Sequence, residues 1–265
     1  PKLDLRGAKL VGVEALMRWQ RGATLVPPGE FIPLAEETGL IVEMSAWALR
    51  EAARQSREWK DCFGFSSSIA VNLPNRFFER GDLVAQIDAA MLDHGLAHNA
   101  LMLEITETGL MKDLGHVMPT LLRLKDMGVQ ISVDDFGTGY SSLAYLTSLP
   151  LSELKIDRSF VRDLGLTQQS SAIVTAIVAL ARSLGLRVVA EGVENVRQMQ
   201  VLRRLGCDLM QGFLFSRPQR PADLEAWLHQ TLHVKQAPWI AANAEFALAH
   251  AGVQPAALSL CPSAA

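Results

Sequence analysis

Acidic and amide side chains stand at the ends of this chain's apolar, strand-like segments. The first segment ends in Glu14, the second in Asn72, and the third in Glu104 with Glu107 just beyond. The fourth ends in Asp134 and Asp135, the fifth in Lys155 and Asp157, the sixth in Glu191 and Glu194, and the seventh in Gln211. Each alone has an ordinary reading as a helix cap, a turn or a surface ion pair. Brought to one rim, the carboxylates would repel one another. Hard divalent cations offset such a ring, because Mg²⁺ takes oxygen ligands from Asp, Glu and Asn. This set suits two-metal phosphodiester hydrolysis, in which ions about 4 Å apart stabilise both the attacking and the leaving oxygen. Lys155 would orient the attacking water or neutralise phosphoryl oxygens. Arg18, four residues after Glu14, would hold a phosphate bidentately or stand as a surface cation.

Other chemistries fit poorly. No histidine falls at these strand ends, which argues against a His-rich zinc site. The GxSxG of a serine hydrolase is absent. Gly137-Thr138-Gly139 lacks the Gly-Lys-Ser/Thr of a P-loop and reads as a mobile loop after a catalytic strand, or as a plain tight turn.

Positioning these residues requires strands and helices in alternation. Strand-like segments fall at residues 10–19, 68–73, 101–106, 129–133, 154–156, 187–190 and 209–214. Helix-like segments fall at 31–37, 42–60, 82–93, 117–127, 141–146, 171–184, 196–205 and 222–232, with Gly128, Gly185 and Gly206 as stops. Alternation of this kind implies a mostly parallel sheet with helices outside. Seven strands are one short of a closed barrel of roughly 250 residues. Residues 2–5 supply the eighth, and the short connection through Arg6-Gly7 makes it a hairpin partner of the next strand. The expected fold is therefore α/β, a modified eight-stranded TIM-like barrel whose first strand is antiparallel and begins partway along. An open doubly wound sheet is the alternative.

Composition agrees with a globular domain. In 265 residues, 25 Lys plus Arg against 28 Asp plus Glu leave a net charge of −3, without the basic excess of a protein that coats polymeric nucleic acid. A hydrophobic share of 49% excludes a disordered chain. No apolar run reaches the roughly 18–20 residues of a membrane span. Three cysteines without a CxxC spacing, and no signal peptide, point to a reducing cytoplasm. The barrel should occupy residues 1–232, and residues 233–265 an Ala-rich helical extension or tail.

The motifs resemble the EAL domain family, bacterial phosphodiesterases of cyclic di-GMP. They are VEALMRW (13–19), AVNLP (70–74), LEITET (103–108), VDDFGTGYSSL (133–143), LKIDRSFV (154–161), VVAEGVE (188–194) and QGFLFSRP (211–218). The resemblance implies hydrolysis of cyclic di-GMP to linear pGpG with two Mg²⁺ or Mn²⁺ ions; Ca²⁺ should inhibit, because it prefers larger, looser coordination than Mg²⁺. It implies that Glu14, Asn72, Glu104 and Asp134 hold one ion, and that Asp134 bridges to a second near Asp135 and Glu191. Glu14, Asp135, Lys155 and Glu191 would be the catalytic set, with Lys155 at the nucleophilic water and Glu191 as ligand rather than base. Glu107 would brace the DDFGTG loop, and Leu16, Arg18, Asp157, Glu194 and Gln211 would line the substrate region. The family also implies a homodimer through residues 140–149 and upstream sensor, receiver or GGDEF domains. Some members only bind cyclic di-GMP, but every motif residue is present here, which favours an active enzyme. A barrel enzyme acting on another Mg²⁺-bound phosphate or enolate is a third reading.

Overall fold

The computed structural model describes residues 1–4, 9–139 and 143–234. The expected turn at Arg6-Gly7, the start of the expected dimer segment and nearly all of the tail lie outside these residues. The strands are β1 (Lys2–Asp4), β2 (Lys9–Ala15), β3 (Trp19–Arg21), β4 (Thr24–Val26), β5 (Ser68–Asn72), β6 (Leu101–Thr106), β7 (Gln130–Phe136), β8 (Glu153–Ile156), β9 (Arg187–Ala190) and β10 (Leu209–Met210). The helices are α1 (Pro28–Thr38), α2 (Ile41–Phe63), α3 (Leu83–Asp93), α4 (Glu107–Lys112), α5 (Leu114–Asp126), α6 (Leu143–Leu146), α7 (Arg158–Arg162), α8 (Gln168–Ser183), α9 (Val196–Leu205) and α10 (Pro221–Val234).

Eight strands close a barrel in the order β1-β10-β9-β8-β7-β6-β5-β2. β1 runs antiparallel to both of its neighbours, and the remaining pairs are parallel. A parallel strand is covered on both faces, so β5 and β9 carry continuous apolar runs, Ile69–Val71 and Val188–Ala190. Leu101, Leu103 and Ile105 turn to the helix layer's core, while Glu104 on the same strand is also buried. α2 shows how the outer layer attaches. Its buried residues, including Val42, Ala48, Leu49, Ala52 and Trp59, recur at helical spacing, while Arg54 pairs with Glu51 and Glu58 in solvent. α9 starts with a reciprocal Asn195–Gln198 capping box and stops at Gly206 with φ 83°.

Four local features depart from the sequence reading. The strand expected over residues 10–19 ends at Ala15, and residues 19–26 form a separate hairpin of β3 and β4. The strand expected over 209–214 ends at Met210. Gly212, at φ 154°, lies so close to the backbone of Val193 that a Cβ would collide with its N and O atoms. α4 and α7 begin directly at strand ends, capped by the side chains of Thr106 and Asp157. α10 runs to Val234, two residues past the expected end of that helix. Among the described residues no helix is long and apolar enough to cross a membrane.

Candidate active site

Parallel pairing puts the C-terminal ends of β2 and β5 through β9 on one rim, where barrel enzymes carry their chemistry. Register aligns them: Glu14 pairs with Ala70, Asn72 with Glu104, and Thr106 with Asp134. At the centre stands Lys155, 1% exposed, on β8. Its Nζ lies 2.5 Å from Glu191 Oε1, 2.8 Å from Glu104 Oε2, 3.0 Å from Asp134 Oδ2 and 3.5 Å from Glu14 Oε2. Neutral side chains fill the gaps. Asn72 Nδ2 donates to Glu14 Oε1 at 2.9 Å, and Gln211 Nε2 donates to both Glu14 Oε2 and Glu191 Oε1.

Negative charge is in surplus. Burial, then repulsion from Glu104, raises the Glu14 carboxyl above its usual range despite Lys155. Burial raises Glu191 to about 8, with Asp134 and Glu14 adding to it and Lys155 opposing. Asp135 is raised by burial, then by Asp134 and Asp157. Glu104 goes the other way: burial would raise it, but Lys155 and Lys2 together hold it at about 2. Burial would also strip the Lys155 proton, but Glu104, Glu14, Glu191 and Asp134 hold it well above the usual lysine value.

Two groups of acids could each hold a metal ion, Glu14 with Glu104 and Asp134, and Asp134 with Asp135 and Glu191. Within each group the offered oxygens lie within 4.8 Å of one another. Asp134 belongs to both. An all-oxygen donor set with unbalanced charge fits hard divalent cations such as Mg²⁺ or Mn²⁺. Asp135 sits at φ 54°, the one non-glycine residue at positive φ among those described. Its amide donates to Asp134 Oδ1 at 2.8 Å, so the turn that aims Asp135 also orients its neighbour. Glu107, 2% exposed at the start of α4, accepts a hydrogen bond from the Gly137 amide at 2.8 Å. The Gly139 position lies against the same carboxylate, where a Cβ would come within 3.1 Å of Oε1.

Other residues singled out in the sequence do not contact Lys155 in this arrangement, though Asp157 acts on the Asp135 carboxyl. Leu16 is 43% exposed, and Arg18 is exposed with Nη1 on the Met17 carbonyl. Asp157 caps α7 through Ser159 N, and exposed Glu194 donates its amide to Gln198. Lys155 is not the surface cation of an ordinary ion pair with Asp157: its ammonium is buried among the rim acids, while Asp157, just past the end of β8, is engaged in capping α7.

Lys2 was not singled out, yet its ammonium, 3% exposed, lies 2.7 Å from Glu104 Oε1 and 2.8 Å from Glu153 Oε1. The signal was present: in Lys2-Leu3-Asp4 one of two alternating faces must line the barrel interior, and Leu3 takes the helix side.

The EAL domain family model matches residues 1–218. The bifunctional diguanylate cyclase/cyclic di-GMP phosphodiesterase MucR of Pseudomonas aeruginosa is 50% identical over 224 residues, covering 84% of this chain and 33% of that protein. The cyclic di-GMP phosphodiesterase NbdA of the same organism is 44% identical over 229 residues, covering 86% of this chain and 29% of that one. The chain thus spans about a third of the length of these curated relatives. Among solved structures, the PaMucR phosphodiesterase in complex with c-di-GMP superimposes with a TM-score of 0.81 at 49% identity, covering 84% of this chain and 91% of that one.

Proposed function

The chain belongs to the EAL domain family, and from that premise we propose that it is a phosphodiesterase that hydrolyses cyclic di-GMP to linear pGpG with two Mg²⁺ or Mn²⁺ ions. The observation that carries this reading is the convergence of Glu14, Glu104, Asp134, Asp135 and Glu191 around one buried lysine, with Asp134 shared by two metal-competent groups.

In this reading Glu14, Asn72, Glu104 and Asp134 hold one ion, and Asp134, Asp135 and Glu191 hold the other. Bound there, the ions would lower the pKa of water and offset charge on the phosphate. Asn72 uses its Nδ2 on Glu14, which leaves its carbonyl oxygen as the donor to a cation. Gln211 fixes Glu14 and Glu191 relative to each other. Lys155 keeps its proton at neutral pH, so it acts as a hydrogen-bond donor to the attacking water or a phosphoryl oxygen and not as a base. Glu107 holds the loop at residues 137–139 beside Asp134 and Asp135. Leu16, Arg18, Asp157, Glu194 and Gln211 line the approach for the dinucleotide. The same reading includes a homodimer through the segment after this loop, where Tyr145 is exposed, upstream sensor or GGDEF domains, and a cytoplasmic setting.

Glu14→Ala tests the assignment. It should abolish pGpG formation while leaving the melting temperature near that of wild type, because it removes a ligand and relieves repulsion. Ca²⁺ should not support turnover, since it prefers a larger, looser shell than Mg²⁺. Wild-type turnover by the variant would overturn the ligand assignment, and full activity in Ca²⁺ would overturn the two-Mg²⁺ reading.

A further inference from the structure

Lys2 reaches the site from beneath. It sits on β1 opposite Gly12 of β2. The ammonium ends in the barrel interior between two fully buried carboxylates, Glu104 and Glu153. Glu153 is itself anchored by Ser132 Oγ at 3.3 Å, with Arg187 Nη2 at 3.7 Å. The two oxygens of Glu104 are thereby divided. Oε1 belongs to Lys2, and Oε2 faces Lys155 and the other acids of the rim.

We propose that Lys2 is a positioning residue that holds Glu104 to one-oxygen coordination and thereby sets the site's preference for Mg²⁺ over Ca²⁺. The inference rests on the two-metal reading above. Mg²⁺ demands a compact octahedral shell and takes single carboxylate oxygens, whereas Ca²⁺ accepts six to eight oxygens and readily takes a carboxylate by both. A Glu104 whose Oε1 is occupied by an ammonium cannot chelate. Its removal frees that oxygen, and Ca²⁺ gains a ligand that Mg²⁺ has no room to use. Lys2 also repels cations, but both ions carry the same charge, so that effect cancels in the ratio of their dissociation constants.

Isothermal titration of the metal-free protein with Mg²⁺ and with Ca²⁺ reads this ratio without any turnover. In Lys2→Met the ratio of Ca²⁺ to Mg²⁺ dissociation constants should fall by about tenfold, at the lower end of what partners of metal ligands usually contribute. Glu153→Gln should lower stability yet keep the wild-type ratio, because the Lys2–Glu104 contact survives. If Lys2→Met alone fails to fold, Lys2→Met/Glu153→Met removes the buried pair as a unit, a change often neutral for stability, and the same fall is expected. Wild-type protein that binds neither ion would overturn the metal reading and this proposal together. Wild-type protein that binds Mg²⁺, with an unchanged ratio in the Lys2 variants, would overturn this proposal alone.

Discussion

Lys155 is the cation that four carboxylates of the rim share, so its replacement is the sharpest probe of how the site is balanced. In Lys155→Met the methionine fills much of the same volume but leaves Glu14, Glu104, Asp134 and Glu191 facing one another without the ammonium now 2.5–3.5 Å from each. Removing one partner of a buried ion pair costs about 3–5 kcal/mol. In a domain of this size each kcal/mol moves the melting temperature by about 2–4 °C, so the variant should melt about 6–20 °C below wild type in a chelator. The carboxyls can relieve part of this by taking up protons, and Glu14 and Glu191 already lie above their usual range. The deficit should therefore shrink as the pH falls and grow as it rises, because each proton lost exposes another unpaired charge. Mg²⁺ should narrow the gap by supplying a cation in place of the lysine. Scanning calorimetry in EDTA and in Mg²⁺, at pH values on either side of the Glu191 value of about 8, reads all three effects. A variant that melts within about 2 °C of wild type in EDTA would refute the balance described here.

Glu107→Ala should cost about 1.5–3 kcal/mol, the value of a hydrogen bond to a charged group, and should speed exchange of the Gly137 amide; unchanged protection would show that the brace lies elsewhere. Gly212→Ala should lower the unfolding free energy read from denaturant titration by at least the roughly 1–3 kcal/mol of a strained backbone position, since the added Cβ meets Val193 backbone; wild-type stability would contradict that packing. The Cys207 thiol is pushed up to about 12 by burial and then by Asp208. It should resist iodoacetamide at about pH 8 until denaturant is added, while exposed Cys62 is labelled, as peptide mass spectrometry would show.

The barrel was legible because strands buried on both faces and helices with one apolar stripe have different periods, and a parallel sheet needs the long crossovers that the helices occupy. The antiparallel first strand followed from a connection too short to cross over. The hairpin at residues 19–26 was not legible, because its strands are three residues each, with no buried residue in β3, and carry no apolar alternation. The early end of β10 depends on how closely Gly212 approaches Val193, a contact between segments that local pattern does not record. At the rim, the acids were visible as residue types at strand ends. That Lys155 is their common partner was not, since four of its contacts come from four other strands or strand ends. Lys2 was legible only by combining two levels: a lysine in a short alternating strand reads as solvent-facing unless the expected closure of the barrel is used to turn that face inward.

The central claim is metal-dependent cleavage at this rim, and chromatography of cyclic di-GMP incubated with the protein tests it most directly. In Mg²⁺ the dinucleotide should be converted to pGpG, and in EDTA it should remain intact. Retention of bound, uncleaved cyclic di-GMP in Mg²⁺ would identify a receptor, and cleavage in EDTA would contradict the metal site.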